Sequence, residues 1–194
     1  MKKFTIALAA LAFAPALALA DAWSIDPVHS NSAFAVKHLV IATVRGHFGK
    51  TTGTAQIDDA DVTKSSVEAT IDATTITTGI EKRDGHLKSP DFFDVAKYPT
   101  LTSQSKKVVA GKDGAFQLVG DMTMHGVTKE VTLDAIAPSK IIKGPRGESR
   151  VGASATTKIN RRDFGLNWNQ VLEAGGVLVG ERIKLTLDLS TVRA

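Results

Sequence analysis

The chain has 194 residues, 43% of them hydrophobic, with 24 Lys and Arg against 20 Asp and Glu and no cysteine. Without thiols there can be no disulfide staple, thiolate metal site, cysteine nucleophile or lipidated cysteine anchor. The length suits one sizeable core and is short for two, and no Pro/Gly/Ser-rich linker divides it.

Met1-Lys2-Lys3 forms a basic start, Phe4 to Ala14 an apolar stretch, and Ala18-Leu19-Ala20 a small-residue cleavage pattern. Together they predict a secretory signal over residues 1–20, cleaved before Asp21, and a periplasmic address for a single domain over 21–194. A membrane anchor fits less well, because Pro15 interrupts an apolar run shorter than the roughly 20 residues that span a bilayer. Cleavage leaves 22 basic and 20 acidic side chains, a net of +2. No basic run with interleaved aromatics points to nucleic acid, so no such partner is expected.

Beyond residue 20, alternation of apolar and polar residues recurs while helical spacing is never sustained, so the class is all-β. Eight to ten strands are predicted, from runs near 23–26, 32–39, 44–49, 53–58, 66–73, 100–109, 115–124, 127–136, 149–159 and 181–192. Val67, Ala69, Ile71 and Ala73 share one face of their run, and Ile183, Leu185, Leu187 and Leu189 share one face of the last. Asp113-Gly114 and His125-Gly126 are hairpin turns, which makes neighbouring strands antiparallel. Two stretches break the pattern, Thr78 to Pro99 and Asn160 to Gly176. In the first, Ser89-Pro90-Asp91 reads as a helix start, with Pro90 pre-set for the first turn.

A sandwich and a closed barrel both satisfy this pattern. The inward faces carry small residues, Ala69, Ala73, Gly120, Ala153 and Ala155, which cannot fill an eight-stranded barrel to native density. A barrel with a partly open apolar lumen is therefore expected. The five histidines, His29, His38, His47, His86 and His125, show no known ligand spacing, so no metal site is expected. No GxSxG elbow, P-loop or GxGxxG element is present, and no catalytic set is assigned. Phe34, Phe48, Phe92, Phe93, Met122, Met124, Phe164 and Trp168 read equally well as pocket lining or ordinary core, since both obey the same alternation.

Four segments, in order, resemble the YceI-like family of exported lipocalin-like proteins. They are His29-Ser30-Asn31-Ser32-Ala33-Phe34-Ala35-Val36-Lys37-His38 with Val44-Arg45-Gly46-His47-Phe48; Leu87 through Thr100, including Ser89-Pro90-Asp91-Phe92-Phe93-Asp94; Gly120 through Val131; and Arg162-Asp163-Phe164-Gly165-Leu166. The resemblance implies an extended antiparallel barrel whose lumen holds a polyisoprenoid chain such as a quinone tail, a periplasmic location and no cofactor beyond that bound lipid. Alternation in the matched motifs and on the neighbouring strand runs nominates Phe34, Val36, His38, Phe48, Ile71, Met122, Met124, Val131 and Leu133 for the lumen, with His38 offering one hydrogen bond there. Phe92, Phe93, Phe164 and Trp168 are assigned to the mouth. Carriage of an isoprenoid lipid is the leading reading; an enzyme acting on the bound lipid and delivery of a quinone to a membrane partner are the alternatives. Transient membrane contact and a homodimer are further expectations.

Overall fold

The computed structural model describes residues 21–194 apart from Asp59, Ala137, Ala174 and Ala194. The signal expected at residues 1–20 lies outside the described residues. The strands are β1 (Asp21–Ile25), β2 (Asn31–His38), β3 (Ala42–Phe48), β4 (Thr51–Ile57), β5 (Ser66–Asp72), β6 (Ile76–Thr77), β7 (Thr100–Ala110), β8 (Ala115–Met124), β9 (Val127–Ile136), β10 (Ile142–Lys143), β11 (Ser149–Asn160) and β12 (Val179–Arg193). One helix, α1 (Glu81–Lys88), and 3-10 turns at Val62–Lys64, Ala73–Thr75 and Arg161–Phe164 complete the described elements. All ten predicted runs are strands. β6 and β10, two residues each, are too short to leave an alternation signal.

Every strand pairing is antiparallel, and the sheet closes on itself. β1 and β2 lie end to end along one edge of β12, against residues 191–192 and 179–188 respectively. β3 and β4 are likewise two halves of one bent stave. Around the ring run β12, β1 with β2, β4 with β3, β5 with β6, β7, β8, β9 and β11, which returns to β12. β12 and β11 pair along twelve positions, from Asn160 opposite Arg182 to Ser149 opposite Arg193. The β9–β11 seam has only two, Ala155 opposite Ala135 and Thr156 opposite Asp134.

The bend between β1 and β2 is fastened by Asp26, whose carboxylate accepts from Arg150 Nη1 at 2.8 Å, His29 Nδ1 at 2.7 Å and the Val28 amide at 3.0 Å. The Arg150 guanidinium, followed by His29, holds the Asp26 carboxyl well below the usual carboxylate range. A depressed carboxyl pKa contributes stability at neutral pH that is lost as pH falls through the acid range. Asp26→Asn should therefore cost about 1–2 kcal/mol near neutrality. Its deficit against the parent should shrink steadily below about pH 4, as urea unfolding at a series of pH values would report.

Gly120 is among the small residues expected to leave the lumen open, but its smallness has another cause. A Cβ there would sit 2.3 Å from the Gln104 carbonyl oxygen and 2.8 Å from Ser105 Cα. β7 slips register between Ser105 and Lys107 and lies directly over this glycine. Gly120→Ala should lower stability by about 1–3 kcal/mol, measured as a reduced urea midpoint, because the obstacle is backbone and cannot swing aside.

The predicted helix start at Ser89-Pro90-Asp91 is corrected by the structure: the helix ends there. Ser89 caps the C-terminus of α1, its Oγ donating to the His86 carbonyl at 2.8 Å. Glu81 and Asp84 in the first turn and His86 and Lys88 in the last suit the helix dipole. Asp84 also accepts from Thr77 Oγ1 at 2.8 Å and the Thr78 amide at 2.7 Å, clasping this short, polar helix to β6.

Candidate functional site

The barrel encloses an elongated apolar cavity of about 210 Å³, running between its two ends. Phe34 and Val36 of β2, Ala69 and Ile71 of β5, Leu118 and Met122 of β8, Ala153 and Ala155 of β11, and Ile183 through Leu189 on alternate positions of β12 form its wall. These side chains point inward by strand parity. Yet Phe34, Val36, Ala69, Ala153, Ala155, Ile183, Leu185, Leu187 and Leu189 are all only half-buried. Inward-pointing residues of a filled barrel would be fully buried, so this surface is exposed to the lumen itself.

One end is closed by aromatic rings. After α1 the chain coils in tight turns, with the Phe93 amide donating to Leu87 O at 3.0 Å and Asp94 in the left-handed region at φ 45°. This geometry drives Leu87, Phe92 and Phe93 onto the cavity. Phe93 meets Phe48 edge-on at 5.7 Å between ring centroids, and Phe48 meets Phe34 at 5.9 Å. A Cβ at Gly46 would lie 2.4 Å from the Phe34 ring, so the glycine lets that ring lie flat on β3. Outside them, His86, Phe92 and Trp168 form a second cluster with centroids 4.7 to 5.3 Å apart. At the other end Val108, Phe116, Ile57 and Val67 converge, beneath which Trp23 packs with Ala55 and Val151. The Trp23 ring is covered by the Arg193 guanidinium at 4.6 Å.

Polar groups on the wall are few and mostly satisfied internally. Ser32 Oγ and Thr51 Oγ1 are hydrogen-bonded to each other at 2.8 Å, both buried. Arg161, only 2% exposed, is the one charged residue among the described lining residues. Its Nε donates to Gly180 O at 3.1 Å, Nη2 to Val179 O at 3.3 Å and Nη1 to Leu166 O. Burial, with the neighbouring Arg162, pulls its pKa down, although a guanidinium stays protonated in proteins. Leu166 opens the 165–178 loop, and Val179 and Gly180 begin the strand that follows it, so Arg161 ties the two flanks of that loop together at the mouth.

Nine of the sequence-predicted residues lie on the cavity wall: Phe34, Val36, Phe48, Ile71, Phe92, Phe93, Met122, Met124 and Leu133. Four lie elsewhere. His38 is the last residue of β2, beyond the point where the wall ends at Val36, and contributes no hydrogen bond inside. Val131 and Phe164 belong to the packed core and flank the groove left where β9 and β11 splay apart. Phe164, fully buried, wedges that gap instead of standing at the mouth. Trp168 lies one layer outside the lumen, against His86 and Phe92. Arg161 and Leu87 were missed by sequence reasoning. Arg161 has no legible cue, since its acceptors are main-chain carbonyls and two of them lie 18 and 19 residues away, whereas Leu87 is the one strongly apolar residue of α1 and could have been found.

A closed antiparallel barrel of this kind, with an apolar interior and a helix at one end, is a lipocalin-like fold. The family model of the YceI-like domain matches residues 23–191, and the chain belongs to that family. A UPF0312 protein of Staphylococcus aureus (strain N315) is 37% identical over 163 residues, covering 84% of this chain and 92% of the relative. Among solved structures, a YceI protein of Campylobacter jejuni superposes with a TM-score of 0.66 at 28% identity, over 81% of this chain and 90% of its own. BcnA of Burkholderia cenocepacia gives a TM-score of 0.72 at 18% identity, over 86% and 98% of the two chains. A polyisoprenoid binding domain from Saccharophagus degradans gives 0.63 at 18%, over 89% and 98%. At 18% identity the last two speak for the fold.

Proposed function

We propose that this protein binds and carries an isoprenoid lipid, polyprenyl or quinone-like, in the barrel lumen, and that it does so in the periplasm. The observation that carries the reading is the inward-pointing but half-exposed wall: apolar surface turned away from solvent and left without a packing partner. Apolar cavities on the order of 150 Å³ stay dry and take up apolar molecules, and this lumen exceeds that size. Burial of each methylene contributes about 0.8 kcal/mol, so a tail needs no strong contact to its head group. The donors of Arg161 facing carbonyl oxygens are already engaged, which leaves shape and apolar area as the basis of selection. The Saccharophagus degradans domain, a polyisoprenoid binder by name, shares the fold, and the pattern of residues 1–20 supports export.

Carriage is favoured over turnover because no Asp, Glu, His or Lys lies among the described lining residues. A proton-transfer mechanism would have no paired acid and base at the cargo. The test is denaturing extraction of purified protein followed by mass spectrometry, alongside uptake of added polyprenol and ubiquinone. A long-chain isoprenoid recovered near one per protein is the expected result. Repeated extraction of none, with no uptake of either probe, would overturn the reading.

A further inference from the structure

The β2–β3 hairpin turns through Leu39 and Val40, both in the left-handed region at φ 53° and 64°. That region favours glycine or asparagine, and for a β-branched residue it is strained. The tip is also bare: Val40 is 65% and Ile41 82% exposed. The Leu39 amide donates to Leu178 O at 2.8 Å, joining the hairpin to the 165–178 loop, where Val171 is 85% exposed. Strained, solvent-facing aliphatic residues therefore rim the end of the barrel that Phe92 and Phe93 close.

A second, independent feature adjoins them. β2 and β3 contain no acidic residue. Across four strands the register aligns Arg45, Ala35, Lys184 and Lys158 in one row, with Lys37 and Arg182 beside it. All five cations are exposed, and among the described residues none makes an ion pair or a side-chain hydrogen bond. Lys158 stands directly opposite Lys184, a like-charge pairing that weakens a sheet. Of the acids on this wall, Glu181 is engaged with Arg162 at 2.9 Å, Asp188 accepts from Ser154 Oγ at 2.6 Å, and Asp163 shares the β9–β11 groove with Lys158 and Arg182. The opposite wall balances its charges: Lys106 bridges Asp121 and Glu130.

We infer that this rim and its basic wall dock the barrel, mouth first, on an anionic phospholipid bilayer. Aliphatic side chains with basic flanks are what an interfacial contact needs, and such contacts bury apolar groups ~5–10 Å deep. The Arg45 row stands four residues behind the tip, about 13 Å at strand rise, so a tip at that depth brings the row down towards the lipid phosphates. The inference rests on the carrier reading for its purpose, since it places the closed mouth against the source of cargo, but not for its residues.

Flotation with vesicles of phosphatidylethanolamine and phosphatidylglycerol, against phosphatidylcholine alone, tests it. Binding to the anionic vesicles only, falling with added salt, is expected. Neutralising Lys37, Arg45 and Lys184 to Gln should weaken it by on the order of fivefold per cation. Val40→Gly should raise the melting temperature by relieving strain while weakening vesicle binding, a combination that a purely structural turn would not give. Equal binding to both vesicle types, or no binding to either while a membrane protein is captured through the same patch, would overturn the inference. Co-purified lipid is scored separately: lipid-loaded protein that ignores anionic vesicles overturns docking and leaves carriage standing, whereas vesicle binding by lipid-free protein supports docking alone.

Discussion

Ala153→Trp is expected to leave a folded barrel that no longer takes up an isoprenoid chain. Ala153 sits on β11 in the lumen wall, opposite Leu189 of β12, and is half-buried with the cavity before it. In a filled core such an enlargement would cost about 1–3 kcal/mol through overpacking. Here the indole enters free space and buries its own apolar area, so the urea midpoint should hold or rise. Displacing even two methylenes of a bound tail forfeits about 1.6 kcal/mol, more than tenfold in affinity. Uptake of a polyprenol, followed by extraction and mass spectrometry, should fall at least that far. Undiminished loading in a well-folded variant would place the cargo elsewhere.

The second large effect is on stability. Arg161→Leu should destabilise the protein by about 3 kcal/mol or more, because three main-chain carbonyls lose charge-assisted hydrogen bonds in a buried setting. Arg161→Lys should recover only part, since one ammonium cannot span Leu166, Val179 and Gly180 as the planar fork does. Damage should be local first. The acceptors bracket the 165–178 loop, at Leu166 and at the first residues of β12, so limited proteolysis should cut there at denaturant concentrations that leave the barrel intact. Uniform cleavage across the strands would show instead that the clamp supports the whole wall.

The barrel was legible because half of each strand faces an apolar interior, and a period of two survives in the sequence when one face is kept dry. Wall residues such as Phe34, Val36, Met122 and Leu133 were nominated by that period together with the family resemblance, because the period alone fits ordinary core equally well. Parity could not say where a wall ends, so His38 was assigned inside although β2 leaves the lumen at Val36. Nor could it show that two strands splay apart, which is why Phe164 reads as a mouth residue when it is the wedge between them. Ser89-Pro90 misled for a local reason: a serine hydroxyl caps either end of a helix, and only the three-dimensional course of the chain shows which. Gly120 carried the right residue type for the wrong cause, because an open interior and a backbone pressed close both demand the absence of a side chain.

The ring is completed by joining the last strand to the first: β12 lies against both β1 and β2. β12 is the last of the described strands in chain order, and until its fifteen residues are in place, β1, β2 and β11 each lack a neighbour. Local hairpins such as β8 with β9 can form early, but closure waits on contacts between strands far apart along the chain, the slowest kind to find. The barrel thus cannot close until its most distant strands meet, so the half-built sheet passes through a stage with bare edges on both sides.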